Sequence, residues 1–582
     1  MDSKTILSLF DEITKIPRES GHEEIIVDFL VQFAQKHNLE SKTDKAMNVL
    51  IVKPAAKGYE NVPTLVLQSH TDMVCEKNAG CTHDFAVDPI KYVIKDGWMV
   101  AEDTTLGADC GIGVAAELAV LTDSKPTGRI ECLFTASEET GMDGAFGLEP
   151  GFISGDTLIN LDSEDEGELF VGCAGGIDTT AVFDFQYELV HPGSEIFKLR
   201  VFNGVGGHSG DDINKGRANA VQLLARFLYG GTCNDSSYQN VLCHIDGGNK
   251  RNAIARESEA IVAVTGDTVS FKASWERFAS EVKAEYSSTE PELSFSLENG
   301  PATDKCMAKE VSDRLITALL AAPHGVLAMS SDIEGLVETS TNLASVKIFG
   351  KNSDGKSSCE NASVEHTCGE YGYVRIGTSQ RSSVDSERKA AAEKVEAAFR
   401  LAGAKVTHEG EYPGWKPNMS SKILSVCTEA YRRRFGVDAA VKAIHAGLEC
   451  GLFLEKFPHL DMISFGPTLR GVHAPGERLE LASLDKFAVF LDDVITDFSK
   501  EQVLTTLKTG NDEQQENYST VNAFGGLPQS RAGCRNGQQF CGSVPPRHNG
   551  RSVRAEHQFR ISCRGSDSRQ GAETDGCSSD DN

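Results

Sequence analysis

The chain has 582 residues, with 57 Lys and Arg against 85 Asp and Glu, for a net charge of −28. That length predicts two or more domains with ample core, and 40% apolar with 24% charged residues excludes a wholly disordered chain. The acidic balance argues against a general binder of nucleic acid or anionic membrane, whose phosphates it would repel.

The charge is uneven along the chain. From Gln502 to Asn582 nine basic residues meet nine acidic ones, so the whole surplus belongs to the first 501 residues. The same segment holds ten Gly and nine Ser, few aliphatics and no sustained apolar period. Residues 502–582 are therefore predicted to be a low-complexity, disordered tail. Sixteen Cys without a single Cys-x-x-Cys pair suit buried reduced thiols better than a disulfide framework. The amino terminus alternates charged with apolar residues and has no signal-peptide core. No apolar run approaches the ~20 residues of a membrane-spanning helix, so the expected location is cytoplasmic.

In chain order, Ser3–Lys36 predicts two amphipathic helices split at Ile16–Gly21, where Pro17 and Gly21 break the period. Asn48–Val52 and Thr64–Gln68 read as strands, the second ending on Ser69-His70-Thr71-Asp72. Asp109 precedes an Ala-rich helix over 110–121, for which an Asp is a natural N-cap. The strand Ile130–Thr135 runs into Glu138-Glu139, and Leu158–Leu161 ends at Asp162-Ser163-Glu164. Alternating strands and helices predict an α/β sheet.

A second unit is predicted from about residue 177. Its strand Ile196–Phe202 and helix Asn214–Tyr229 lead to strand-rich text at His244–Ile254 and Ala260–Thr265. The strand Tyr371–Ile376, helix Ser386–Ala402 and strand Lys405–Glu409 follow a polar loop at Lys351–Glu370, which carries Cys359 and Cys368. Two β-α-β halves fit an inserted ferredoxin-like α+β module. From Tyr412 the first unit resumes with the helix Lys422–Phe435 and strands Ala440–Ala443 and Asp461–Phe465, the last leading to His473.

Acids and imidazoles recur at successive strand ends: His70 and Asp72, then Glu138 and Glu139, then Asp162. Ligands of open α/β sheets bind outside the carboxyl ends of strands. Carboxylates gathered there repel one another, and a cation is the simple way to stabilise them. His with carboxylates suits zinc, manganese or cobalt better than calcium.

The segments Ser69–Val74, Leu106–Gly113, Thr135–Gly141 and Leu161–Glu164 resemble the successive metal-site motifs of aminoacyl-histidine dipeptidases (Xaa-His dipeptidases, carnosinase-like). These belong to the co-catalytic zinc metallopeptidases with an inserted lid. Gly206–Gly210, Gly247–Ala253, Ser379–Ser383, His445–Gly451 and Gly466–Glu477 extend the resemblance, in order, over about residues 1–500. It implies a split catalytic domain (1–176 and 412–501) with a mixed sheet flanked by helices, and a lid and dimerisation domain at 177–411.

The resemblance also implies site roles. His70 and Asp162 would hold one ion, Glu139 and His473 the other, with Asp109 bridging; that makes two Zn2+ per subunit, with Mn2+ or Co2+ as alternatives. Asp72, on the same strand side as His70, would orient its imidazole. Glu138 would be the general base, taking a proton from a water bridging the two ions and returning it to the leaving amine. His208, from a lid often supplied by the partner subunit, would stabilise the oxyanion. Asn252 and Arg381 would grip the substrate carboxylate. His445 and Glu449 flank a glycine turn at the substrate end, where Glu449 either receives the substrate ammonium or is structural.

The activity so implied is hydrolysis of unblocked dipeptides, preferring Xaa-His such as β-alanyl-histidine, by a homodimer joined through its lids. No nucleic acid or membrane partner is expected. The alternatives are another short-peptide or N-acyl amino acid amidohydrolase on the same scaffold, or a non-catalytic binding homologue. Presence of all seven residues of the metal and base set, from His70 to His473, weighs against the last. One position departs from the resemblance: Cys110 stands where Asn is expected, placing a free thiol beside Asp109.

Overall fold

Two sheets organise the chain. A computed structural model describes residues 1–232, 236–351 and 371–500; the tail and the loop bearing Cys359 and Cys368 lie outside the described residues. The first sheet has eight strands in the order Glu40–Thr43, Val49–Lys53, Ile130–Thr135, Leu65–His70, Thr157–Asn160, Asp461–Ser464, Glu168–Cys173 and Ala440–Ile444. Its four middle strands, Ile130–Thr135 to Asp461–Ser464, run parallel, so their carboxyl ends stand side by side. Antiparallel pairs at Val49–Lys53 and Glu168–Cys173 make the sheet mixed.

Helices cover both faces, which is why the strands read as unbroken apolar runs. Alternation sends Val49, Ile51, Leu65 and Leu67 into the larger core, with the helices Ser3–Ile13, Ala108–Thr122 and Lys422–Phe435 and that over 481–500. Leu50, Val52 and Val66 point the other way, onto Phe453 and Leu452 of the helix Glu449–Lys456. The predicted amino-terminal helix pair forms as Ser3–Ile13 and Glu24–Lys36. Asp2 caps the first by accepting from the Thr5 amide at 2.8 Å.

The chain crosses to the second sheet between Cys173 and Gly175 and returns after Tyr412. This sheet has ten antiparallel strands. Within it, Glu195–Phe202, the helix Ala220–Tyr229, Tyr238–Gly247, Ser258–Gly266, the helix Thr268–Glu285 and Ser294–Asn299 form a βαββαβ unit. Its strands lie in the order fourth, first, third, second, a complete ferredoxin-like arrangement. The sequence reading needed both halves, out to residue 409, to assemble that module. The difference is the helix Thr268–Glu285, whose buried stripe is only Phe271, Trp275, Phe278 and Val282. The second half extends the same sheet, joined through Gly247 opposite Val346.

Three local expectations shift. The helix predicted from Asn214 starts at Ala220, where the Asn219 side chain accepts from the Gln222 amide at 3.1 Å. The strand predicted at His244–Ile254 is Tyr238–Gly247, and 248–254 is loop. Asp109 does not cap its helix: Gly107 holds the cap position, and the Asp109 backbone is non-helical.

One buried cation pins the sheet end to that helix. Arg18 is 2% exposed; it donates through Nη1 to the carbonyls of Thr71 (3.1 Å) and Asp72 (2.9 Å), and through Nη2 to that of Gly107 (2.5 Å). Gly107 has φ +66°, and a Cβ there would lie 2.3 Å from Arg18 Nη2, so only glycine fits. Arg18→Met would strand three carbonyls and remove the charge facing Asp72 and Glu477. It is expected to lower the unfolding free energy of the full chain by roughly 3–5 kcal/mol in denaturant titration. A loss below ~1 kcal/mol would show that the pin is not structural.

Candidate metal centre

The parallel strand ends deliver the acids and imidazoles to one place. His70 is the last residue of its strand, with Nδ1 3.1 Å from Asp72 Oδ1. Its Nε2 faces Asp109 Oδ1 at 3.2 Å and Asp162 Oδ1 at 3.3 Å. His473 Nε2 lies 3.1 Å from Asp109 Oδ2 and 2.9 Å from the Glu139 carboxylate. Asp109 thus turns one oxygen to each imidazole, between two His–carboxylate pairs.

Asp72 holds more than His70. Its buried carboxylate also accepts from Ser20 Oγ at 2.7 Å and from the amides of Glu138 (3.0 Å) and Glu139 (3.2 Å). The turn before those amides is tight: Ser137 has φ +52°, and Glu23 accepts from its amide and hydroxyl at 2.8 and 2.6 Å. Glu138 and Glu139 are fixed through their backbone, with their side chains left for the cavity.

Glu477 performs the matching task for Asp109. Its carboxylate accepts from the amides of Leu106, Gly107, Ala108 and Asp109, at 2.8, 2.9, 2.8 and 3.3 Å. The helix start is satisfied from outside, so the Asp109 carboxylate is free to face the imidazoles. Because Glu477 follows His473 by four residues, one loop positions both. In the sequence Glu477 falls at the end of the Gly466–Glu477 motif without a role, and neither Glu23 nor Arg18 stands out there.

The electrostatics show a cluster short of positive charge. Burial pushes Glu138 well above the usual carboxylate range and Asp162 up to about 7, the latter despite His70 and with help from Asp109. Burial opposes the imidazolium of His70, yet Asp162, Asp109 and Asp72 outweigh it and raise its pKa well above normal. Bonds to Asp109 and Glu139 take His473 up to about 11. Asp72 sits at about 2, because its bond to His70 overcomes burial. Glu138, Asp162, His70 and His473 are thus shifted toward their protonated forms, whereas hydrogen bonds to the imidazoles hold Asp72 and Asp109 ionised despite burial. Asp162 Oδ1 is buried without a hydrogen-bond partner, and ligand atoms of His70, Asp109 and Glu139 all lie within 4.8 Å of one another. The residues fit a pair of divalent ions.

A cavity of about 900 Å³ opens beside the cluster. Asp109, Glu138, Glu139, Asp162 and His473 line one side, and His208, Asp211, Lys215 and Val337 of the inserted segment line the other, with His445. His208 Nδ1 accepts from the amides of Gly210 and Asp211 at 3.3 Å each, which leaves Nε2 as the N–H donor. His445 bonds Ser340 Oγ at 2.7 Å; burial, then the nearby Arg381 charge, hold it neutral with a pKa of about 4.

The other named residues stand back from the cavity lining. Arg381 is largely buried and donates to the Tyr412 hydroxyl at 3.1 Å. Asn252 is exposed, and its carbonyl accepts from the Ser209 amide at 2.8 Å. Glu449 is buried beneath the strand ends, accepting from Gln68 Nε2 (2.7 Å) and Thr135 Oγ1 (2.8 Å); burial lifts it to about 8.

Comparison with known proteins gives a family. Residues 66–497 match peptidase family M20/M25/M40. The cytosol non-specific dipeptidase of Escherichia coli (strain K12) is 38% identical over 497 residues, which span 85% of this chain and 98% of that one. The crystal structure of aminoacylhistidine dipeptidase from Vibrio alginolyticus aligns with a TM-score of 0.76 at 38% identity, covering 84% of this chain and 96% of that one. The chain belongs to peptidase family M20/M25/M40.

Proposed function

We propose that this metal-dependent dipeptidase cleaves unblocked dipeptides in the 900 Å³ cavity, with Glu138 as general base and a preference for Xaa-His substrates such as β-alanyl-histidine. The observation that carries this reading is Asp109, set between His70 and His473 with one oxygen toward each. In this reading two Zn2+, replaceable by Mn2+ or Co2+, are held by His70 and Asp162, by Glu139 and His473, and by Asp109 between them. Bound there, such ions polarise a scissile carbonyl and lower the pKa of the attacking water toward ~7.

The chain's own residues supply the rest. Glu138 takes the proton of the attacking water at its carboxylate and later delivers it to the leaving amine; its backbone, fixed by Asp72, keeps it over the reacting bond. His208 donates from Nε2 to the oxyanion that develops on the carbonyl. Asn252 and Arg381 remain the candidates for the substrate carboxylate, which requires the inserted segment to close over the cavity. His445 lines the substrate end as a neutral ring. For Glu449, full burial and its bonds to Gln68 and Thr135 favour the structural of its two roles. The reading includes a cytoplasmic homodimer joined through the inserted segment. Among the described residues no helix is long and apolar enough to cross a membrane.

Three experiments test this reading. Glu138→Gln is expected to lower kcat by about 10²–10⁴ while metal analysis still finds two ions per chain; a wild-type rate would refute the base assignment. Chelation should abolish cleavage across a dipeptide panel, and Zn2+, Mn2+ or Co2+ should restore it fastest for Xaa-His members. If no dipeptide is cleaved with any of these metals, the substrate assignment is wrong. Sedimentation of the full chain should give twice the monomer mass, and a monomer at micromolar concentration would remove the dimer from the reading.

A further inference from the structure

The thiol of Cys110 adjoins the metal cluster, and the mechanism above does not use it. Ligand atoms of His70, Cys110 and Asp162 lie within 4.8 Å of one another, the same limit that brings His70, Asp109 and Glu139 together. We propose that Cys110 Sγ is a fourth protein ligand of the ion held by His70, Asp162 and the bridging Asp109. That subsite would then select thiophilic divalent ions, such as Zn2+, Co2+ or Cd2+, over oxygen-seeking Mn2+. The proposal rests on the two-ion reading of the cluster and goes beyond it in naming a sulfur donor.

Four features support it. Cys110 is 1% exposed, so its sulfur is enclosed with the ligands rather than facing bulk water. The second donor, Asp162, has its side chain 8% exposed, with Oδ1 buried, lacking a hydrogen-bond partner, and 3.3 Å from His70 Nε2. A buried carboxylate oxygen left in that state calls for a cation. Third, the thiol has space made for it: a Cβ at Gly113 would come within 2.8 Å of Cys110 Sγ, so the glycine keeps the sulfur's place open. Fourth, the thiol donates to the Leu161 carbonyl at 3.4 Å, which aims it along the segment that ends in Asp162.

The chemistry is a ligand exchange. An ion with a Zn–S distance of ~2.3 Å and a Zn–N distance of ~2.0 Å needs donor atoms roughly 3.5 Å apart, so the sulfur closes by up to about an ångström. The S–H bond breaks, its proton passes to buffer, and the sulfur lone pair bonds the ion while the hydrogen bond to Leu161 is released. Soft thiolate beside one imidazole and two carboxylates favours zinc, cobalt and cadmium, whereas carboxylate and water alone suit manganese.

The test uses the full chain, stripped with chelator and titrated with Co2+ while absorption and bound metal are followed together. The wild type should develop a near-ultraviolet sulfur-to-cobalt charge-transfer band as the ion binds. Cys110→Ser and Cys110→Ala should bind cobalt without that band, and their Cd2+ affinity should fall roughly 10–100-fold while Mn2+ affinity changes little. Two cobalt ions bound to wild type without the band would overturn the sulfur ligand and leave the two-ion reading intact. A band that persists in Cys110→Ser would overturn it as well, because another thiol would be its source. Failure of the wild type to bind cobalt would overturn both readings together.

Discussion

A carboxylate removed from water is tolerated only where hydrogen bonds or opposite charge replace what water supplied, and the site is arranged around that constraint at Asp72. Its two oxygens meet four donors from three stretches of chain: Ser20, the His70 ring, and the amides of Glu138 and Glu139. Rotating His70, or lifting the turn that carries Glu138, would leave this buried charge exposed to an apolar interior. Glu477 obeys the same rule across the site, closing on the amides from Leu106 to Asp109. Two carboxylates are thereby committed to positioning. Asp109, Glu138, Glu139 and Asp162 are left to face the cavity, where the proposed reading gives them the cations and the proton transfer.

Beneath them, a polar seam sets the register of the parallel strands. Gln68 donates to Thr135 and Glu449, Asn160 donates to Gln68, and Ser464 donates to Asn160. All of these links but the one to Glu449, which begins a helix, join neighbouring strands, and all five groups are buried. A slip of one residue would turn these side chains into the apolar layers and leave them unpaired. The seam therefore makes the strand ends coincide, and with them His70, Glu138 and Asp162. It also explains why Glu449 lies below the cavity: its carboxylate completes the hydrogen bonding of Gln68 and Thr135.

Much of this was legible in the sequence because parallel strands bury both faces. Leu65–Leu67 and Cys132–Phe134 read as apolar runs, and the polar residues that follow them mark the edge where the candidate site lies. The ligand set followed from those ends and from the family resemblance. Other features left no local trace. Glu477 meets amides some 370 residues earlier in the chain, and nothing in the spacing announces that pairing. Asp109 looked like an N-cap because its helix needs one; the need is met from outside, which frees the side chain. The inserted segment is ferredoxin-like as expected, but one of its helices was not legible, for a different reason. Thr268–Glu285 buries four residues among many charged ones, a stripe too thin to stand out by periodicity.

Charge is graded across the cavity, and the grading suits a zwitterion. Glu164 and Asp165 extend the acidic wall beyond Asp162, and burial, then Asp109 and Asp162, lift Glu164 to about 8. The facing wall carries His208, with Arg381 buried behind His445. Cations at the cluster would offset Asp109, Glu139 and Asp162 and, by removing the repulsion from Asp109 and Asp162, would favour an ionised Glu164 at one end, with the guanidinium at the other. Under the proposed reading an unblocked dipeptide would align with that field, ammonium toward the acids and carboxylate toward the inserted segment. In that reading the field would favour one orientation before any contact forms, and that orientation would carry the scissile carbonyl past Glu138. The acidity of the chain is thus partly local to this wall, which Asp109, Glu138, Glu139, Asp162, Glu164 and Asp165 share.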